Sequence, residues 1–167
     1  VLNRKALEQC TSELVANFRA ARIGRGGRLL NLSGGLGIDD MAFSPHFNEV
    51  ISLDSDAELN EMFRYNCSKA GISNVKRLDQ SAESYLQAVK TDDFDVIYAD
   101  PDRQSGGHKA DVGRHQPDVF ALFNKILSAA RSFELKLSPL YDVGQIASEF
   151  RFVKEVHCVS LAAEMKE

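Results

Sequence analysis

Three glycines and an aspartate offer the first chemistry in this 167-residue sequence. Ser33-Gly34-Gly35-Leu36-Gly37 follows the short apolar run Arg28–Leu32 and precedes a helical pattern. Glycines at 34, 35 and 37 let main-chain amides approach a ligand that any Cβ would obstruct. Asp54 closes the next apolar run, Glu49–Asp54. It lies close to the spacing, roughly 20 residues beyond such a turn, at which a carboxylate grips ribose hydroxyls. A carboxylate there accepts two hydrogen bonds from vicinal hydroxyls, which a neutral group does less well.

The charge around the turn selects among ligands. A dinucleotide turn needs Gly-x-Gly-x-x-Gly/Ala, but Asp40 stands at the third position, where helix packs on strand. Asp39 and Asp40 also put negative charge at the helix start, where a pyrophosphate wants positive potential. A ligand carrying an ammonium and a sulfonium, S-adenosylmethionine, suits that acidic turn better than a nicotinamide dinucleotide.

A second cluster, Asp100-Pro-Asp-Arg103, ends the run Phe94–Ala99. In a doubly wound sheet this falls beside the glycine turn, at the switch-point crevice where ligands bind. Pro101 fixes the chain, so Asp100 is held facing the cofactor, placed to orient or deprotonate a nucleophile. Arg103 is suited to hold an anionic or phosphate group. Methyl transfer is an in-line displacement, for which alignment supplies most of the barrier reduction. Residues 102–117 lack apolar periodicity and read as a functional or mobile loop, with Gly106-Gly107 as its flexible point. His108, Asp111 and His115 within it read as a solvated polar loop rather than a metal site.

These residues need a scaffold of alternating strands and helices. Leu7, Cys10, Leu14 and Phe18 mark an amphipathic helix over 4–21. Strands are expected at 28–32, 49–54, 75–78, 94–99, 133–137 and 152–161. Between them fall a short helix closed by Pro45, one opened by a Ser55/Glu58 capping box and stopped at Gly71, and others at 82–90, 119–130 and 143–150. The alternation predicts a Rossmann-like α/β domain, a mostly parallel doubly wound sheet in one unit over 1–167 with its core at 28–167. A valine start, directly in a helical pattern, reads as an excised piece of a longer protein.

Composition narrows the setting. The apolar fraction is 44%, the charged fraction 26% and the net charge −4, so no basic footprint for nucleic acid stands out. Cys10, Cys67 and Cys158 form no CxxC pair, which argues against a disulfide framework or zinc site and for a reducing, cytoplasmic setting. Each is expected to pack as a small core hydrophobe. No apolar run approaches the ~20 residues of a membrane span, and no serine or cysteine sits in a nucleophile elbow.

Leu30–Asp39, Asp54, Asp100–Arg103 and Lys136-Leu-Ser-Pro139 fall in an order that resembles the bacterial class I methyltransferases carrying a THUMP-like domain. The resemblance covers nearly the whole chain. It implies that Asn31, Ser33, Gly34, Gly35, Gly37 and Asp39 surround the methionine part of S-adenosylmethionine. Asp54 and Ser55 would take the ribose side and the Ser81-Ala82 turn the adenine, while Asp100 and Pro101 face the methyl group. The implied sheet order is 3-2-1-4-5, with a sixth strand beside a seventh that has no counterpart before Glu167. RNA, tRNA or rRNA, is the acceptor class that the resemblance implies.

Three departures stand out. Asn31 and Ser81 replace acids usual in such enzymes, although Asp79 is near Ser81. Asp100-Pro-Asp-Arg103 also lacks the aromatic of the Asp-Pro-Pro-Tyr type, which disfavours N6-adenine or N4-cytosine methylation. A cofactor-binding scaffold and a small-molecule methyltransferase are the alternative readings.

Overall fold

A computed structural model describes residues 11–103, 115–150 and 152–167, apart from the side chains of Asp102, Arg103, His115 and Ala147. The first helix, α1 (Glu13–Ile23), opens on Ser12, whose hydroxyl accepts the Val15 N–H. Its face is not the expected one. Val15, Ala16, Arg19 and Ala20 turn inward, whereas Leu14 and Phe18 stay exposed. The small side chains let α1 pack closely, and Arg19 must reach a carboxylate described below. The expected helix start, with Leu7 and Cys10, lies outside the described residues.

Strands β1 (Gly26–Asn31), β2 (Phe47–Leu53), β3 (Val75–Leu78) and β4 (Phe94–Ala99) form the body of the sheet. They alternate with α2 (Ile38–Phe43), α3 (Ala57–Ala70) and α4 (Ala82–Ala88). A two-residue antiparallel ribbon follows, β5 (Asp102–Arg103) with β6 (His115–Gln116), at the ends of the segment expected to be irregular throughout. Then come α5 (Val119–Ala129), β7 (Ala130–Leu135) and α6 (Val143–Glu149). The main sheet runs β3-β2-β1-β4-β7, every pair parallel, so β7 is the fifth strand of the expected 3-2-1-4-5 order.

Side chains alternate across this sheet as strand geometry requires. Leu30, Ile51, Leu53 and Ile97 meet Leu86 of α4 and Val119 and Ile126 of α5 on one face. Leu29, Val50 and Tyr98 meet Ala16 and Ala20 of α1 and Phe43 of α2 on the other. Both faces are covered, which explains why the central strands read as continuous apolar runs. The chain reverses its winding between β1 and β4, leaving a crevice at their carboxyl ends.

Four expectations are corrected. The cap of α3 is Asp56, not Ser55; its carboxylate accepts the N–H groups of Glu58 and Leu59. The fifth strand starts at Ala130, directly after α5, because Ala130 pairs with Phe94 at the start of β4. No sixth strand joins the sheet at 152–161 among the described residues. Phe152 stacks on Phe123 and Glu155 pairs with Arg22, so side chains rather than a main-chain ladder hold this stretch. Only Ser160–Leu161 (β8) forms a ladder, a hairpin with Glu164–Met165 (β9). Lastly, Cys67 is buried as expected but Cys158 is exposed. No described helix is long and apolar enough to cross a membrane.

Glu49 links the three strands at one side of the sheet. Its Oε1 accepts from Lys76 Nζ at 2.5 Å and its Oε2 from Arg28 Nε at 2.9 Å. These bonds, Lys76 first, hold its carboxyl below the usual 4.5. A depressed folded value stabilises the fold above the unfolded value of 4.5, and this contribution is lost as pH falls through the folded one. Glu49→Gln is therefore expected to lower the melting temperature at pH 6 but scarcely at pH 3. The partly exposed partners limit the effect to less than about 1 kcal/mol. Thermal melts of both proteins across that range check it.

Candidate active site

The glycine turn is moulded on a buried polar cluster. Gly34 N–H donates to the Leu53 carbonyl at 2.8 Å, and Gly37 N–H to the Gly34 carbonyl at 2.9 Å. Gly37 has φ +81°, and a Cβ there would lie 2.1 Å from the Phe63 ring. A Cβ on Gly34 would lie 2.5 Å from the Arg77 guanidinium. Arg77 and Asp40 are both fully buried and paired at 2.9 Å. Asp40 also accepts from Ser52 Oγ at 2.6 Å and from Asn31 Nδ2 at 2.7 Å. Arg77 donates in addition to the Gly35 carbonyl and to Asn60 Oδ1, each at 3.0 Å, and lies over Phe63.

This arrangement revises two sequence arguments. Asp40 does not fit poorly at its position; it is the buried counter-ion of Arg77 and contributes no charge to a ligand. Asn31 is likewise buried beneath the turn, accepting the Ser33 N–H at 3.0 Å, and does not line the cleft.

The cleft itself, about 540 Å³, opens at the carboxyl ends of β1, β2, β3 and β4. That volume lies within the range of small-ligand sites. Ser33, Gly34, Gly35, Gly37, Asp39, Asp54, Ser55, Ser81, Ala82 and Asp100 all line it, so the structure brings together most of the residues expected from the sequence. Five carboxylates face it: Asp39, Asp54, Asp56, Glu83 and Asp100. No lysine, arginine or histidine does so among the described residues.

Asp54 is locked to the turn. Its Oδ2 accepts the Gly35 N–H at 2.7 Å and its Oδ1 the Asp56 N–H at 2.8 Å. Each oxygen keeps a further lone pair for a ligand hydroxyl. Gly35 has φ +51° and nothing within 4 Å of where a Cβ would stand, so that side chain's absence leaves room. Ser81 caps α4 through its hydroxyl. Asp79 is exposed and paired with Arg64, and Gln80 takes its place beside Ser81 in the lining.

Asp100 is held from two sides. Its N–H donates to Ser33 Oγ at 2.7 Å, and its Oδ2 accepts from Lys136 Nζ at 2.5 Å. Pro101 is buried and does not line the cleft; the Arg103 side chain lies outside the described residues. Asp39 pairs with Arg19 and accepts from Thr11 Oγ1 at 3.1 Å. Burial pushes the Asp39 carboxyl up, against Arg19 and Lys136. Burial also drives the Tyr98 phenol well above 10 and the Cys67 thiol to about 11, so neither ionises near neutrality.

The cleft is also lined by residues the sequence does not single out, among them Thr11, Asp56, Leu59, Gln80, Glu83, Gln116 and Pro117. Asp56, Gln80 and Glu83 had a usable signal, since each lies within a few residues of a strand's carboxyl end. Thr11 and Gln116 had none.

No family model matches the chain. It is 30% identical over 92 residues to the uncharacterized methyltransferase YcgJ of Bacillus subtilis, covering 55% of this chain and 34% of that protein. Among solved structures, a Porphyromonas gingivalis W83 protein assigned as a methyltransferase superposes with a TM-score of 0.72 at 27% identity, over 84% of this chain and 35% of that one. A Streptococcus mutans protein so assigned, in complex with S-adenosylhomocysteine, gives 0.54 at 17%, over 71% and 65%. The tRNA (m1A58) methyltransferase TrmI of Aquifex aeolicus gives 0.62 at 16%, over 86% and 52%. The chain thus spans about a third of the length of the first two proteins.

The buried pair beneath the turn has a measurable weight. Arg77→Met keeps the contact with Phe63 but strands the Asp40 carboxylate, and is expected to cost about 3–5 kcal/mol in urea unfolding. Adding Asp40→Asn removes the stranded charge and should recover part of that loss. A double variant no more stable than the single one would contradict this account. The parallel sheet in 3-2-1-4-5 order, the glycine turn at its switch point and the likeness to these proteins together give the chain the class I S-adenosylmethionine-dependent methyltransferase fold.

Proposed function

We propose that the cleft binds S-adenosylmethionine and that the chain is the catalytic core of a methyltransferase. The single observation that carries this is the lining: five carboxylates and, among the described residues, no cation, around an aspartate tied to a glycine turn. Two of the five are matched from behind by Arg19 and Lys136, so negative charge remains in excess. A pyrophosphate meets repulsion there, whereas an ammonium and a sulfonium are attracted.

In this reading Ser33 to Gly37 receive the methionine part, Asp54 accepts the two ribose hydroxyls, and Gln80 to Ala82 flank the adenine. The bound cofactor supplies an electrophilic methyl group on a sulfonium. Asp100, fixed by Ser33 and Lys136, orients the acceptor, and alignment of this kind lowers the barrier without further chemistry from the protein. Asn31 and Ser81, the departures behind a scaffold reading, have structural work of their own under the turn and at the start of α4.

The finer assignment is to the cytosolic bacterial enzymes that carry a THUMP-like domain, with RNA as the acceptor. Its support is the order of motifs along the chain and the likeness to a tRNA methyltransferase.

Calorimetric titration with S-adenosylhomocysteine tests the cofactor. Micromolar binding is expected, weakened at least about tenfold in Asp54→Ala, as loss of charge-assisted hydrogen bonds predicts. NADH should not bind; binding of NADH alone would refute the assignment. For the acceptor, affinity for tRNA should fall steeply between about 50 and 200 mM salt, and a flat salt dependence would remove RNA.

A further inference from the structure

The carboxylates of the cleft are not treated alike. Asp39 and Asp100 are each answered by a cation that does not itself line the cleft, Arg19 and Lys136. Asp54, Asp56 and Glu83, at the β2 and β3 end, pair with no cation among the described residues. The β4 end therefore holds two cations, one of them shared with Glu167, and the other end holds none among the described residues.

Lys136 is built for its place. It directly follows β7, and its N–H donates to the Ala99 carbonyl at 2.9 Å, extending the ladder so that it stands beside Asp100. Its side chain is 15% exposed. Besides Asp100 at 2.5 Å, its Nζ donates to Thr11 Oγ1 at 3.0 Å, and Thr11 donates in turn to Asp39. One ammonium thus connects both carboxylates at this end of the cleft.

We infer that Lys136 is a positioning residue that fixes the Asp100 carboxylate and offsets its charge where the reacting sulfur lies. The inference rests on the cofactor assignment above. In methyl transfer the sulfur–methyl bond would break with its electron pair left on sulfur, releasing S-adenosylhomocysteine, while a lone pair of the acceptor would form the bond to the methyl carbon and the acceptor's proton would pass to solvent. Positive charge on sulfur disappears as this happens. An uncompensated carboxylate beside the sulfur would hold the sulfonium more tightly than the transition state, which raises the barrier. Lys136 removes that penalty while keeping Asp100 in place.

The test compares S-adenosylmethionine with S-adenosylhomocysteine, which differ in charge at sulfur, by calorimetry at pH 7.5 and low salt. Lys136→Met should raise the ratio of affinities in favour of the sulfonium by about fivefold or more. Lys136→Arg, which keeps the charge, should leave the ratio unchanged. Adding Asp100→Asn to Lys136→Met should restore it. A purely structural role would weaken both ligands equally, and an unchanged ratio in Lys136→Met overturns the inference while leaving the cofactor assignment intact. Should Lys136→Met fail to fold by circular dichroism, Lys136→Gln is read in the same way: a ratio raised toward the sulfonium supports the inference and an unchanged one overturns it. Wild-type protein that binds neither ligand overturns the cofactor assignment and the inference together.

Discussion

The ion pair between Asp40 and Arg77 is the constraint on which the ligand cleft depends, because it ties the helices α2 and α3 and the glycine turn to strands that their own ladders hold in register. Arg77 comes from β3, Asp40 from α2, Asn60 and Phe63 from α3, Ser52 from β2 and Asn31 from β1. The guanidinium also takes the Gly35 carbonyl, so the turn that meets a ligand on one side is fastened to the pair on the other. Burying two charges is expensive, and such a pair adds little to net stability compared with a well-packed apolar substitute. Its return is positional. Five elements have one arrangement in which every carboxylate oxygen of Asp40 is satisfied, and that arrangement shapes the glycine turn.

A similar economy governs the cleft's charge. A carboxylate-rich surface that was wholly unpaired would repel itself and destabilise the folded chain. Here Arg19 on α1 and Lys136 after β7 reach in from behind and match the carboxylates nearest β4, while Asp54 is satisfied by main-chain amides instead. Cations that approach from the back keep the front of the cleft free of positive charge. Selectivity against phosphates and tolerable self-repulsion then coexist in one surface.

The strands, their alternation with helices and the line of residues along the sheet's carboxyl edge are legible in the sequence because they rest on local signals, whereas the strand order comes only with the resemblance to the methyltransferases. Apolar runs mark the strands, glycines mark the turn, and the position after each strand marks the edge. The acidic sign of the site was also legible, but for partly wrong residues. From the sequence Asp40 reads as facing a ligand, and only its contact with Arg77, distant in sequence, shows otherwise. Asn31 misled for the same reason. The inward face of α1 could not be chosen from periodicity, since Leu14 and Phe18 make a stripe as regular as Val15, Ala16, Arg19 and Ala20. Partners decide between such stripes, and partners are not written locally. The stretch 152–161 shows the opposite failure: its residues suit a strand, yet its anchors are Phe123 and Arg22, far away in sequence.

The two edges of the sheet are unequal. On one side β3 is only four residues long and carries Lys76 and Arg77, features that discourage another chain from adding a strand. On the other, β7 is six residues long and pairs with β4 alone among the described residues. Beside it lie Phe123, Phe133 and Phe152, an aromatic surface that would reward the same addition with burial. Among the described residues, the free side of β7 is therefore the better template for an added strand. Self-association by strand addition would proceed from that flank and stop after a single copy, since a second chain docked edge to edge covers the very surface that recruited it.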